Sequence, residues 1–156
     1  MPTHHKGSAR ETLALNTYIK LMRAGEALGA RLKARHVIGD LTFSQFAVLE
    51  ALYHLGPLRP NELSAKTLRS PGNITLVIDN LEKASLVTRT RSPDDRRALL
   101  VALTPKGQKV IAAVLPAHLA AIVDQMSVLT PREQAQLGEL CKKLGTATQP
   151  ADPRAS

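Results

Sequence analysis

Cysteine is almost absent from this chain: Cys141 stands alone among 156 residues, so no intrachain disulfide can brace the fold. A reducing, cytoplasmic compartment is expected. Residues 1–15 lack the charged start and apolar block of a signal peptide. The longest mostly apolar stretch, residues 110–123, is 14 residues long and holds Pro116 and His118, whereas a spanning helix needs roughly 20. No membrane span is expected. His36, His54 and His118 are scattered without paired spacing or a carboxylate cluster, and His4 and His5 lie near the terminus, so no metal site is implied. No nucleophile and base share a recognisable context, and there is no glycine loop to cradle a phosphate. Catalysis is the least expected class, and no cofactor follows.

Acidic residues are also in deficit, 13 against 21 basic, and the net charge of +8 favours a polyanionic partner. The excess is uneven. Residues 1–39 carry seven basic and two acidic groups, while residues 40–103 carry eight and seven. Within that balanced middle, Arg89, Arg91, Arg96 and Arg97 fall inside nine residues, a local positive feature.

What the sequence does contain is helix punctuation. Ser70-Pro71, Thr104-Pro105 and Thr130-Pro131 each pair a capping hydroxyl with proline at the first helical position. Thr42 with Gln45, and Thr130 with Glu133, read as capping boxes, with Leu41 and Phe46 placed as a hydrophobic staple. Leu15, Ile19, Met22 and Leu32 recur at helical intervals and predict a first helix over about residues 11–35. Apolar positions from Ile111 to Val123 predict another over residues 105–126, bent at Pro116, and Leu137, Leu140 and Leu144 a last one over residues 131–144 that stops at Gly145. These long terminal helices exceed what the remaining domain can cover, so a homodimer is expected. Residues 1–10 and 146–156 read as mobile tails around a single domain at 11–145.

One segment breaks the helical pattern. Residues 87–91 and 98–103 read as two strands around the turn Ser92-Pro93-Asp94-Asp95. Ahead of this hairpin, a short helix over residues 61–67 and another from Ser70 to Lys83 make a winged helix-turn-helix pattern. On the helical wheel Ile74, Val77, Ile78 and Leu81 share one face. Gly72, Leu76, Asp79 and Lys83 lie opposite, flanked by Asn73, Thr75 and Asn80. Asn73 suits adenine edges, Thr75 can touch a thymine methyl, Gly72 allows close backbone approach, and the amides beyond Ser70 suit a phosphate. Leu76 belongs to the same outward set. The alternative is the solvated face of an ordinary helix. At the wing, Arg91, Asp95, Arg96 and Arg97 are placed for a minor groove, the alternative being a soluble turn with compensating charges.

The run from Leu58 to Gly107 resembles the MarR family of winged-helix transcriptional regulators. The resemblance is carried by Glu62-Leu63-Ser64, the stretch Gly72 to Lys83, Leu86-Val87, Asp94-Asp95-Arg96-Arg97 and Leu103-Thr104-Pro105-Lys106-Gly107. It extends over about residues 11–145. It implies a mainly α fold with a small β-hairpin wing (α+β). The winged helix-turn-helix lobe would span about residues 42–103, with long terminal dimerisation helices at about 11–36 and 105–145. It also implies that Asp95 holds an arginine, Arg96 or Arg97, for minor-groove contact. The family usually has glycine where Ser85 stands, and serine in a left-handed cap costs on the order of 1 kcal/mol.

By the same resemblance, the expected function is a homodimeric repressor on a pseudo-palindromic double-stranded DNA operator, released by a small phenolic or lipophilic effector. Tyr18 and Met22 with Phe46 and Tyr53 are the candidates to line an effector pocket, the alternative being ordinary core residues. Two other readings stand beside this one. In one, the winged helix is a protein-interaction module without sequence-specific DNA binding. In the other, Cys141, near Lys142 and Lys143, makes the regulator redox-responsive.

Overall fold

The computed structural model describes residues 5–67, 70–91 and 99–146. In chain order the elements are α1 (Ala9–Ala34), α2 (Phe43–Leu55), α3 (Pro60–Thr67), α4 (Pro71–Lys83), β1 (Val87–Arg91), β2 (Leu99–Leu103), α5 (Pro105–Met126) and α6 (Pro131–Thr146). The fold class is the expected one, mainly α with a two-stranded wing. The chain divides into two compact units, Met1–Ala121 and Ile122–Ser156.

Local chemistry sets most helix ends. At α2 the Thr42 backbone N–H donates to Gln45 Oε1 (2.9 Å) and the Gln45 amide donates to Thr42 Oγ1 (3.2 Å), the capping box read from the sequence. Thr130 and Glu133 do the same at α6, and the Thr130 backbone N–H and hydroxyl, both donating to the Glu133 carboxylate, hold it below its ordinary pKa. Two ends differ from expectation. Helix α1 starts at Ala9 because Ser8 and Glu11 form a third reciprocal box, so the expected tail stops short of residue 10. The Ser8 hydroxyl also donates to the Glu11 carboxylate, which lowers that group's pKa. Helix α6 runs through Gly145 to Thr146, since among the described glycines only Gly39 and Gly56 adopt positive φ.

The first unit is organised around one core. Leu49 of α2, Leu63 of α3, Ile78 and Leu81 of α4, Val101 of β2 and Ile111 of α5 are all fully buried. Each such side chain contributes about 1.5–3 kcal/mol relative to exposure. Strands β1 and β2 pair antiparallel from Val87↔Leu103 to Arg91↔Leu99. Leu58, just before α3, adds a single antiparallel bridge to Val101, its N–H donating to the Val101 carbonyl at 3.1 Å and its carbonyl accepting at 2.8 Å. The wing is thereby tied to the start of the helix-turn-helix.

Helix α4 ends in a left-handed cap. The Leu86 N–H donates to the Leu81 carbonyl (2.9 Å) and the Ser85 N–H to the Glu82 carbonyl (2.8 Å), with Ser85 at φ 59°. Serine thus keeps the conformation in which glycine is usual. The start of α5 closes over this end. Thr104 Oγ1 donates to the Ser85 carbonyl (2.7 Å), the Thr104 N–H to Leu86 (3.1 Å) and Lys106 Nζ to Ala84 (2.8 Å). Gly107 is required there, because a Cβ would sit 2.0 Å from the Leu86 carbonyl oxygen.

Helices α1 and α6 contain no buried residue. Leu13, Tyr18, Leu21 and Met22 on α1, and Leu137, Leu140 and Leu144 on α6, are exposed in the single chain. Helix α5 is longer than the apolar stretch counted in the sequence. Its 22 residues, with a window of mean hydropathy 1.4, have the length and composition to cross a membrane. Here its Ile111 and Leu115 belong to the core of the first unit.

Candidate nucleic-acid interface

Helix α4 presents the two faces that its periodicity demands. Ile74, Val77, Ile78 and Leu81 are buried, which presses the helix onto α2 and α3. Gly72, Asn73, Thr75 and Leu76 are exposed, as is Ser70, whose Oγ accepts from the Asn73 amide at 3.4 Å to cap the helix. The helix therefore brings together five of the residues singled out for DNA contact. Leu76 is 59% exposed, a large apolar side chain amid polar neighbours.

Wing residue Arg91 is exposed at the end of β1, opposite Leu99. Asp95, Arg96 and Arg97 lie outside the described residues, as does the turn at residues 92–95.

Sequence reasoning missed the junction between wing and recognition helix. Arg89 of β1 forms ion pairs with both Asp79 and Glu82 of α4, and its backbone N–H donates to Glu82 Oε1 at 3.2 Å. The hydrogen bond to Asp79, followed by the attraction of Glu82, raises the arginine's pKa against the opposing effect of burial. The pairing has an electrostatic consequence. Asp79 and Glu82 would oppose a phosphate backbone, and Arg89, paired with both, offsets one of their two negative charges at its source. The separations of ten and seven residues gave no local signal, although Asp79 on the outward wheel face beside an arginine-rich strand was a usable clue.

The four pocket candidates are not gathered around one described cavity. Tyr18 and Met22 are exposed on α1, at 59% and 47%. Phe46 is buried against the His118 ring, centroids 4.3 Å apart, and Tyr53 meets His54 edge-on. Burial pushes the His118 imidazole below its ordinary pKa, with Glu50 pulling the other way, and its Nδ1 has no hydrogen-bond partner among the described residues. Cavities instead flank the segment between α1 and α2. One of about 460 Å³ is lined by Ile38, Leu41, Gln45, Leu86, Lys106 and Val114, among others. Another of about 370 Å³ includes Lys33, His36 and Phe43.

The model of the MarR family matches residues 41–99, the segment that holds α2, the helix-turn-helix and the wing. The chain is 39% identical over 141 residues to the HTH-type transcriptional regulator YkoM of Bacillus subtilis, covering 87% of this chain and 88% of that one. This protein belongs to the MarR family. It is a DNA-binding transcriptional regulator. The HTH-type transcriptional repressor MdtR of Bacillus subtilis is similar to this MarR protein at 31% identity over 109 residues, 70% of each chain. Among solved structures, BpsR of Bordetella bronchiseptica superposes with TM-score 0.77 at 25% identity, over 95% of this chain and all of that one. Its structure is described in terms of regulation of its DNA binding by 6-hydroxynicotinic acid.

Proposed function

We propose that this MarR protein is a cytoplasmic, homodimeric repressor that occupies a pseudo-palindromic operator and leaves it when a small phenolic or lipophilic molecule binds. The observation that carries the reading is the outward face of α4, uncovered and mostly polar, with its two carboxylates drawn onto Arg89 at the root of the wing and one of their charges offset there. Such a helix fits a major groove while Arg91 and the wing arginines approach the adjacent backbone and minor groove. Dimerisation follows from α1 and α6, whose uncovered leucines need a second copy to leave water. Two-fold symmetry then sets two half-sites one helical turn apart.

Effector release is placed at the 460 Å³ cavity. Ala84 and Leu86, which end the recognition helix, form part of its wall, and Lys106, which holds the Ala84 carbonyl, forms another part. A ligand seated there shifts the helix end against the start of α5, and so changes the distance between the two reading heads of the dimer.

The test is selection of bound duplexes from a random library by the purified protein at two salt concentrations, followed by an effector screen on the enriched site. An enriched inverted repeat that a phenolic compound releases is the expected result. Sequence-blind binding that vanishes at the higher salt rejects the reading in favour of an interaction module.

A further inference from the structure

We infer that the recognition helix reads A·T pairs, with Asn73 at an adenine edge and Leu76 against a thymine methyl. This rests on the DNA-binding reading above and adds what the helix selects. Leu76 is 59% exposed on a helix whose other large aliphatic residues, Ile74, Val77, Ile78 and Leu81, are buried. It stands three residues after Asn73 and four after Gly72, so the three lie side by side on one face.

Gly72 adds an independent observation. Among the described residues a Cβ at that position would meet nothing within 4 Å, so they give no reason for glycine where alanine favours a helix. A partner pressed against the helix does give one, since a bare backbone lets a base edge come close.

Charge completes the selection. Between Pro71 and Lys83 the only basic residue is Lys83, in the last turn, and the two carboxylates are bound to Arg89. The half of the helix that enters the groove therefore offers an amide, a hydroxyl, an isobutyl group and bare backbone, but no cation. Guanine O6 and N7 are met by Arg or Lys, adenine by Asn, and the thymine C5 methyl by apolar groups. A single leucine among Asn73, Thr75 and Asn80 is too small a patch to dock a protein, but it matches one methyl group.

The experiment starts from the enriched operator. Each half-site thymine is replaced in turn by deoxyuridine, which lacks only the methyl, and each guanine by 7-deazaguanine, which lacks the N7 acceptor. One thymine per half-site is expected to lose about three- to tenfold in affinity as uracil. Leu76→Ala is expected to bind the thymine and uracil forms equally. Its urea midpoint should match the wild type, because the side chain is exposed. Leu76→Arg should shift the selected base at that position to guanine. A thymine preference that survives Leu76→Ala, uracil tolerated at every position, or 7-deazaguanine losses that Leu76→Ala removes each overturn the inference while leaving the DNA-binding reading intact. Failure to enrich any duplex overturns both.

Discussion

The lobe that carries the recognition helix and the helices at the two ends of the chain use the same kind of sequence pattern and end up in opposite conditions. In the lobe, the apolar rows of α2, α3 and α4 converge until Leu49, Leu63 and Ile78 have no exposure left. In α1 and α6 the rows are just as regular, yet no residue is buried. Periodicity states that a helix has a face to cover, not which chain covers it. For the lobe the cover is the chain's own. For the terminal helices the single chain leaves the leucines uncovered.

That contrast breaks or sharpens under mutation. The largest effect belongs to the core: Leu49→Ala should cost the lobe about 2–5 kcal/mol in urea unfolding. Leu140→Glu on α6 should leave the stability of the lobe unchanged and weaken self-association by about tenfold or more in sedimentation. If both variants changed self-association alike, the division between a self-sufficient lobe and partner-dependent ends would be lost.

A second variant probes the seam where α5 closes over the end of α4. Gly107→Ala forces a methyl group into the Leu86 carbonyl and should cost about 1–3 kcal/mol, read as a lower urea midpoint with self-association retained. An unchanged midpoint would mean that the seam yields freely. The smallest effect is a gain: Ser85→Gly relieves the left-handed strain and should stabilise the lobe by about 1 kcal/mol. A loss of stability on that change would show that the Ser85 side chain contributes more than its backbone strain costs.

Much of the lobe was legible in the sequence because its signals are local. Thr42 with Gln45 announces a helix start within four residues, and the short apolar run at residues 99–103 announces a strand. Ser8 with Glu11 is the same signal, obscured by the polar tail around it. Gly145 illustrates the opposite hazard, since glycine permits a left-handed stop without compelling one. The outward set Gly72, Asn73, Thr75 and Leu76 could be read from a helical wheel, because helical spacing alone decides which residues share a face. Arg89 with Asp79 and Glu82, and the Leu58 bridge to Val101, could not, because each joins segments that meet only after the chain has folded. The four pocket candidates share none of the described cavities. Phe46 packs on His118, while the two cavities described above draw their walls from the segment after α1 together with residues of other elements, such as Phe43, Leu86 and Lys106.

The Arg89 clamp also limits how such a protein can let go of DNA. One guanidinium closes on two carboxylates nearly a turn apart on α4, so the first wing strand is tied to the recognition helix at two points. In the dimer proposed above, release would then be a matter of gauge: the two reading heads either match the pitch of the duplex or miss it together.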